Sequence, residues 1–141
     1  LMDRGQQRDD EMRIAIRTGA DIVAARQAAR EMAARLGCSS TDQTLLATAV
    51  SEVTRNIVRF AGTGEVVVEL IEGSRPGVRI VARDTGPGIY DLEQALTDGY
   101  STCNGLGLGL PGARRLMDEF DVVSEPGRGT IVTMTKWRQE G

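Results

Sequence analysis

The strongest constraint on the fold is the spacing of apolar residues, which follows a strand pattern first and then two successive helical patterns. Residues 12–17 alternate apolar and polar side chains, which predicts a half-buried strand. Helical spacing follows, from Asp21 as the predicted N-cap to a stop at Gly37. A second, longer helix is predicted from a cap at 39–41 to the region 62–64. Two helices in direct succession exclude the regular strand–helix alternation of a doubly wound fold.

Strand patterns dominate the remainder of the chain. β-rich runs at 65–72 and 78–84 flank a turn that contains glycine and proline, which predicts a hairpin. A short helix is predicted at 110–120, and a closing hairpin joins strands at 120–124 and 130–137. We therefore predict an α+β sandwich, in which a mixed, mostly antiparallel sheet is covered by helices on one face.

Length and composition indicate one packed domain. With 141 residues, 40% of them hydrophobic, the chain has enough apolar side chains for one core. We expect residues 12–138 to form this domain and residues 1–11 to be a loose tail. No apolar run approaches the roughly 18 residues of a membrane span, so we expect no membrane contact. The N-terminus lacks a charged-then-apolar signal pattern, so we expect a cytoplasmic protein. A net charge of −3 with scattered basic residues argues against nucleic acid as a partner.

Several kinds of catalytic centre are excluded by residue type. The sequence contains no histidine, which rules out a Ser-His-Asp triad, a histidine metal centre and a phosphohistidine intermediate. A general base must therefore be a carboxylate, a cysteine, a lysine or a tyrosine. The two cysteines, Cys38 and Cys103, form no C-x-x-C pair, which argues against a zinc site or a disulfide framework.

The second predicted helix carries a polar face beside its apolar stripe. Glu52, Asn56 and Arg59 follow at i, i+4 and i+7, which confines them to a face roughly 60° wide. A carboxylate, an amide oxygen and a guanidinium suit a general base, a magnesium ligand and a phosphate clamp. The alternative is that Glu52 simply pairs with Arg55 on a solvated surface.

A second motif follows the most regular predicted strand, at residues 84–89. Asp84 ends the strand, while Gly86 and Gly88 permit close approach of the backbone to a neighbour. A flat ring can lie on such a loop, with the Asp84 carboxylate accepting a hydrogen bond from an exocyclic amine. The alternative is an ordinary strand-to-loop turn.

Alternating glycines precede the helix predicted at 110–120. Such a run exposes backbone N–H groups at the positive end of the helix, where phosphates bind. No Gly-Lys pair is present for a P-loop, and leucine at 110 breaks the dinucleotide fingerprint G-x-G-x-x-G. The alternative is a flexible hinge. The motif consists of Gly105, Leu106, Gly107, Leu108 and Gly109.

These elements, in this order, resemble the nucleotide-binding boxes of the gyrase, Hsp90, histidine-kinase and MutL (GHKL) superfamily. The matches are E-x-x-x-N at 52–56, D-x-G-x-G at 84–88, G-x-G-x-G at 105–109 and a late G-x-G-T at 127–130. The resemblance implies a Bergerat-type ATP-binding fold that binds ATP and Mg²⁺ under a lid at about 90–104.

The resemblance also implies individual roles. Glu52 becomes the general base, Asn56 the magnesium ligand and Asp84 the partner of the adenine amine. The glycine run binds phosphates, and Thr130 holds adenine through water. The expected nucleotide-binding residues are Asn56, Arg59, Asp84, Gly86, Gly88, Ile89, Ser101, Thr102, Gly105, Leu106, Gly107, Leu108, Gly109 and Thr130.

Within the superfamily, the segments 21–27, 98–102 and 110–120 resemble the stressosome switch kinases of the anti-sigma-factor kinase family. That resemblance implies a serine/threonine kinase that phosphorylates STAS-domain proteins and, when released, binds and activates a PP2C-type phosphatase. An anti-sigma kinase is the alternative, and an autonomous ATPase is a weaker one. Many anti-sigma kinases continue the first box as N-A-x-x-H, whereas Ile57 and Phe60 stand here, which argues against sigma binding.

Overall fold

Five strands and three α-helices make up the part of the chain that the structure, a computed structural model, describes: residues 10–86 and 109–139. In chain order they are β1 Glu11–Ile16, α1 Gly19–Leu36, α2 Ser40–Asn56, a π-helical turn Ile57–Ala61, β2 Gly64–Ile71, β3 Gly77–Asp84, α3 Gly109–Leu116, β4 Glu119–Glu125 and β5 Gly129–Trp137. Asp10 and Glu11, at the end of the predicted tail, already belong to the edge of the sheet, because Asp10 O accepts from Leu70 N at 2.8 Å. No helix in these two ranges is long and apolar enough to cross a membrane.

The strands form one sheet in the order β1-β2-β3-β5-β4, and each neighbouring pair in the described ranges is antiparallel. The predicted α+β class is confirmed, and the sheet is antiparallel throughout rather than mixed. Strand alternation sends one set of side chains toward the helices. One such row crosses all five strands and is apolar throughout, with the residues Ile14, Val66, Ala82, Val132 and Val122.

The core lies between this face and the three helices. Its fully buried large side chains come from β1, α1, α2 and the central strands. Because successive strand residues point to opposite faces, most charged positions of the same strands lie on the uncovered side of the sheet. Asp84 and the buried Lys136 are exceptions, since they lie on the helix-facing side. The largest core side chains are Ile16, Met32, Leu46, Ile80 and Met134.

The first helix begins three residues earlier than predicted. Thr18 is its N-cap and Asp21 is the third residue of the helix, so the prediction of Asp21 as N-cap is wrong. The Asp21 carboxylate still caps the helix, since Oδ2 accepts from Arg17 N at 2.8 Å and from Thr18 N at 3.0 Å. These two hydrogen bonds lower the pKa of Asp21 below its ordinary value of 3.8. Gly37 ends the helix with φ +85°, as predicted.

The other two helices differ from prediction at their C-terminal ends. Ser39 caps α2 as predicted, but the regular helix stops at Asn56 and a π-helical turn continues it, with Gly62 N donating to Ile57 O at 2.8 Å. The helix predicted at 110–120 ends at Leu116. Phe120 lies in β4, where it pairs with Met134 and packs on the core, so long-range burial overrides the local helical spacing there.

Candidate functional site

The last turns of α2 place Glu52 and Asn56 at the rim of the core. Glu52 is only 7% exposed, and its Oε2 lies 2.9 Å from Arg55 Nη1. The pairing with Arg55 that the sequence allowed is therefore present, with Glu52 buried and Arg55 half-buried. A buried carboxylate is costly unless it is paired, so Arg55 stabilises Glu52 in this position. Asn56 is half-buried at the end of the helix.

Arg59 lies beyond the point where the helix changes its geometry. It is exposed in the π-helical turn, and its guanidinium stacks 5.1 Å from the centroid of the Phe60 ring. A π-helical turn winds more slowly than an α-helix, so the i, i+7 spacing does not give Arg59 the direction that a regular helix would. Its part in phosphate binding stays a prediction.

Asp84 ends β3 as predicted and anchors the loop that follows. Its Oδ1 accepts from Gly86 N at 2.9 Å, which bends the chain directly after the strand. A Cβ at Gly86 would lie 2.5 Å from the Ala61 Cβ, so this loop packs against the π-helical turn. Only glycine permits that approach, and it brings the 84–86 loop against the turn that follows α2.

The start of β5 approaches the same aspartate from the other side. Gly129 has φ +124°, and a Cβ there would clash with the carbonyl oxygen of Asp84. The next residue, Thr130, is the register partner of Asp84. Its Oγ1 lies 2.8 Å from Ser124 Oγ on β4. Ser124 is not among the predicted site residues; the signal for it in the sequence is a polar residue at an inward position of an otherwise apolar alternation.

An open groove of about 310 Å³ also touches Asp84, from the side of β1 and β2. Glu52, Asn56 and Thr130 do not line it, so we do not identify it with the predicted nucleotide site. Its lining is Ala15, Arg17, Thr63, Gly64, Glu65, Arg83, Asp84 and Thr85.

The glycine run falls largely outside the described residues, and so do the other predicted contacts in the lid. Gly109 opens α3, and α3 packs on α2 with Leu110 and Ala113 buried in the core. The helix that follows the run therefore begins beside the Glu52 helix. The predicted residues outside the described ranges are Gly88, Ile89, Ser101, Thr102, Gly105, Leu106, Gly107 and Leu108.

The residues present fit a magnesium nucleotide. Magnesium is usually held by one or two protein oxygens together with substrate phosphates. Asn56 offers an amide oxygen, and within residues 10–86 and 109–139 no group of three or more acidic, histidine or cysteine side chains forms a separate metal cluster. At the other side of the site, Oδ1 of Asp84 is engaged by the turn, which leaves Oδ2 to accept from a base.

Comparisons with known proteins identify the family of the chain. Residues 17–136 match the family model described as a histidine kinase-like ATPase domain. The chain is 45% identical over 130 residues to the serine/threonine-protein kinase RsbT of Bacillus subtilis (strain 168), covering 92% of this chain and 98% of that protein. It is 31% identical over 118 residues to the anti-sigma F factor of Thermoanaerobacter sp. (strain X514), covering 80% and 82% of the two chains.

Solved structures support the fold. The structure of the RsbU and RsbW domains of a Mycobacterium tuberculosis protein superposes with a TM-score of 0.65 at 20% identity, over 93% of this chain and 33% of that chain. A histidine kinase domain from Erythrobacter litoralis EL346 gives a TM-score of 0.51 at 22% identity, over 84% and 59%. The chain belongs to the histidine kinase-like ATPase family, and within it this protein is an ATP-using serine/threonine kinase of the partner-switching type, similar to RsbT.

Proposed function

We propose that this kinase transfers the γ-phosphoryl group of Mg-ATP to a serine or threonine of a STAS-domain protein in the cytoplasm, as part of a stressosome-type stress pathway. The observation that supports it most is the meeting of three separate motifs at one end of the sheet. The π-helical turn that continues the Glu52 helix contacts the Asp84 loop through Ala61 and Gly86, and that loop contacts the start of β5 at Gly129. The 45% identity to the serine/threonine-protein kinase RsbT supports a protein serine or threonine as the acceptor.

Each end of the proposed site has its own role. At the base end, Asp84 and Thr130 are register partners and together would bind adenine. At the phosphate end, Asn56 would hold Mg²⁺ through its amide oxygen, and the backbone N–H groups of the glycine run would donate to phosphate oxygens. Bound magnesium supplies charge neutralisation, which phosphoryl transfer needs more than it needs covalent chemistry.

Glu52 is assigned the proton transfer. The acceptor hydroxyl gives its proton to the Glu52 carboxylate while its oxygen bonds to the γ-phosphorus. The bond from that phosphorus to the β–γ bridging oxygen breaks, and ADP leaves with the bridging oxygen. A positioned general base of this kind contributes about 10²–10⁴-fold.

Transfer of label from γ-labelled Mg-ATP to candidate STAS-domain proteins tests the proposal. We expect label on a partner serine or threonine with the wild type, and at least a ~100-fold slower transfer with Glu52→Ala at nearly unchanged ATP affinity. Glu69→Ala is the matched control, because Glu69 is a β2 carboxylate paired with Arg79 at 3.7 Å, away from the site. Near-normal transfer by Glu52→Ala would remove Glu52 from the role of base. Absence of label on any partner, with ATP bound, would overturn the kinase assignment in favour of a binding module.

The proposal includes a second partner, a PP2C-type phosphatase that the released kinase binds and activates. The resemblance to stressosome switch kinases supports this, and a pull-down with such a phosphatase in the presence and absence of the STAS protein tests it. We expect the phosphatase to be retained only when the STAS protein is phosphorylated or missing. Equal retention in all conditions would contradict a switch between partners.

Sigma-factor binding is the alternative function, and the 31% identity to an anti-sigma F factor favours it. Phe60 opposes it, because an exposed aromatic ring stands where many anti-sigma kinases have histidine. Co-purification with a sigma factor would establish this alternative, and its absence alongside STAS phosphorylation would exclude it.

A further inference from the structure

Ser124 connects the strand at the edge of the sheet to the proposed base end of the site. Asp84, Thr130 and Ser124 are register partners across β3, β5 and β4, so their side chains share one face of the sheet. On β4 the preceding inward residues, Phe120 and Val122, pack against the core. Ser124 is thus a polar residue in the inward-facing row of β4, and it is the member of that row that pairs with Thr130.

The two hydrogen bonds that join the Ser124 hydroxyl to Gly129 and Thr130 can form together in only one arrangement of the hydroxyl protons. Each hydroxyl has one proton to donate. Ser124 Oγ lies 3.2 Å from Gly129 O, which can only accept, and 2.8 Å from Thr130 Oγ1, where either oxygen can donate. If Ser124 donates its one proton to Gly129 O, it has none left for Thr130. The contact with Thr130 then forms only when Thr130 donates to Ser124. Thr130 Oγ1 then presents lone pairs, and no proton, toward the site.

This direction matters because the neighbouring group also accepts. Asp84 is a carboxylate, and its Oδ1 is already engaged by Gly86 N. A base bound there would meet an aspartate oxygen and a threonine oxygen that both need a donor. An exocyclic amine, directly or through a bridging water, satisfies such a pair, whereas a keto oxygen leaves acceptors facing one another.

We propose that Ser124 is a specificity-determining residue, which makes the Thr130 hydroxyl an acceptor and so favours a 6-amino purine over a 6-keto purine. The inference rests on the proposed function, in which the nucleotide base binds at Asp84 and Thr130. Ser124 acts through Thr130 and is a positioning residue, not a group that touches the base.

Binding of ATP and ITP, measured by calorimetry without an acceptor protein, tests this role. ITP carries a keto group and an N1 proton where ATP has an amine and a bare nitrogen, and it adds no other bulk. Ser124→Ala frees the Thr130 proton to turn toward the base, so we expect the ratio of ATP to ITP affinity to fall by roughly 5- to 10-fold. Ser124→Thr retains the hydroxyl and should keep the ratio within about twofold of wild type.

The controls separate specificity from general shape. Thr133→Val removes a hydroxyl from the opposite face of β5 and should leave the ratio unchanged. A thermal melt of each variant confirms that it is folded. An unchanged ratio of ATP to ITP affinity in Ser124→Ala would overturn the proposal. If both affinities had fallen equally, Ser124 would only shape the site. Either result leaves the proposed kinase function standing, whereas failure of the wild type to bind ATP would overturn both.

Discussion

The two ends of the β3–β5 strand pair use polar groups in different ways. They are separated by seven residues of β3, or about 23 Å. At the end away from the proposed site, Trp137 is held by three groups. The Arg75 guanidinium lies 4.7 Å from its ring, its backbone N donates to Asp118 Oδ2 at 2.7 Å, and Nε1 donates to Glu119 Oε2 at 3.2 Å.

Other polar groups at this end join separate elements of the fold. Arg138 N donates to Pro76 O at 2.8 Å, and Arg138 Nη1 reaches Leu36 O at 3.1 Å. Lys136 Nζ, nearly buried, donates to Leu116 O at 3.2 Å. Together these contacts connect the β2–β3 turn, the end of α1 and the end of α3 to the last strand.

At the site end, close packing at glycine residues connects the separate elements. Gly86 against Ala61 and Gly129 against Asp84 bring the elements together without using a polar side chain. The hydrogen bonds of Asp84 and Thr130 connect them to immediate neighbours, Gly86 and Ser124. The difference shows how one sheet combines stability with binding. Because glycine contacts position the site end, the Asp84 carboxylate and the Thr130 hydroxyl can still form hydrogen bonds with a ligand.

We expect the largest effect on stability from a substitution at the closely packed Gly129. Gly129→Ala should lower the free energy of unfolding by more than about 3 kcal/mol, because the new Cβ strains φ and also clashes with Asp84. Gly73 has a similar φ of +119° and open space around it, so Gly73→Ala should cost only ~1–2 kcal/mol. Urea denaturation measures both. Equal losses would mean that close approach at Gly129 does not hold the site end together.

The opposite end should affect stability without affecting binding. Trp137→Ala should lower the free energy of unfolding by about 2–3 kcal/mol, less than for a fully buried tryptophan, since this side chain is half-buried. ATP affinity should stay within about twofold of wild type, because distant sites are usually independent. Denaturant melts and calorimetry on the same samples check both. A large loss of ATP affinity in a folded variant would break the separation of the two ends.

Two aspartates make the comparison sharper. Asp84→Asn should weaken ATP binding at least ~10-fold, because an amide N–H would face the adenine amine in place of an acceptor. Asp118→Asn should leave ATP affinity unchanged and lower the unfolding free energy by about 1 kcal/mol, since Asp118 bonds to Trp137 N. Calorimetry showing unchanged affinity in Asp84→Asn would count against its adenine role.

The smallest expected effect is that of Asp21, a carboxylate near the site end. It caps the start of α1 and has no proposed contact with the ligand. Its hydrogen bonds lower its pKa in the folded state below the ordinary 3.8. The stabilisation is therefore present above that value and lost as pH falls through the lower folded-state pKa. Asp21→Ala should reduce the melting temperature by a few degrees at pH 7, with the gap to wild type narrowing in acid. A gap that is constant with pH would exclude the charged cap as its cause.

Much of the fold followed from local pattern. The alternation at 12–17, the stop at Gly37 and the cap at Ser39 predicted β1, α1 and the start of α2 within a few residues. The spacing of Phe120 predicts a helix, whereas its pairing with Met134 puts it in β4. Pairing partners fourteen residues apart leave no mark on local spacing, so the sequence could not show where α3 ends.

The site, like the fold, has some features that the sequence predicts and others that depend on packing. The amino-acid sequence already shows which residue types are available: Glu52 and Asn56 four residues apart, Asp84 at a strand end and a glycine before Thr130, with no histidine to serve as base. The burial of Glu52 against Arg55 and the position of Ser124 beside Thr130 arise from packing between distant segments. The reason is physical: chemical identity and helical spacing are local properties, whereas burial and cross-strand register depend on which segments pack together.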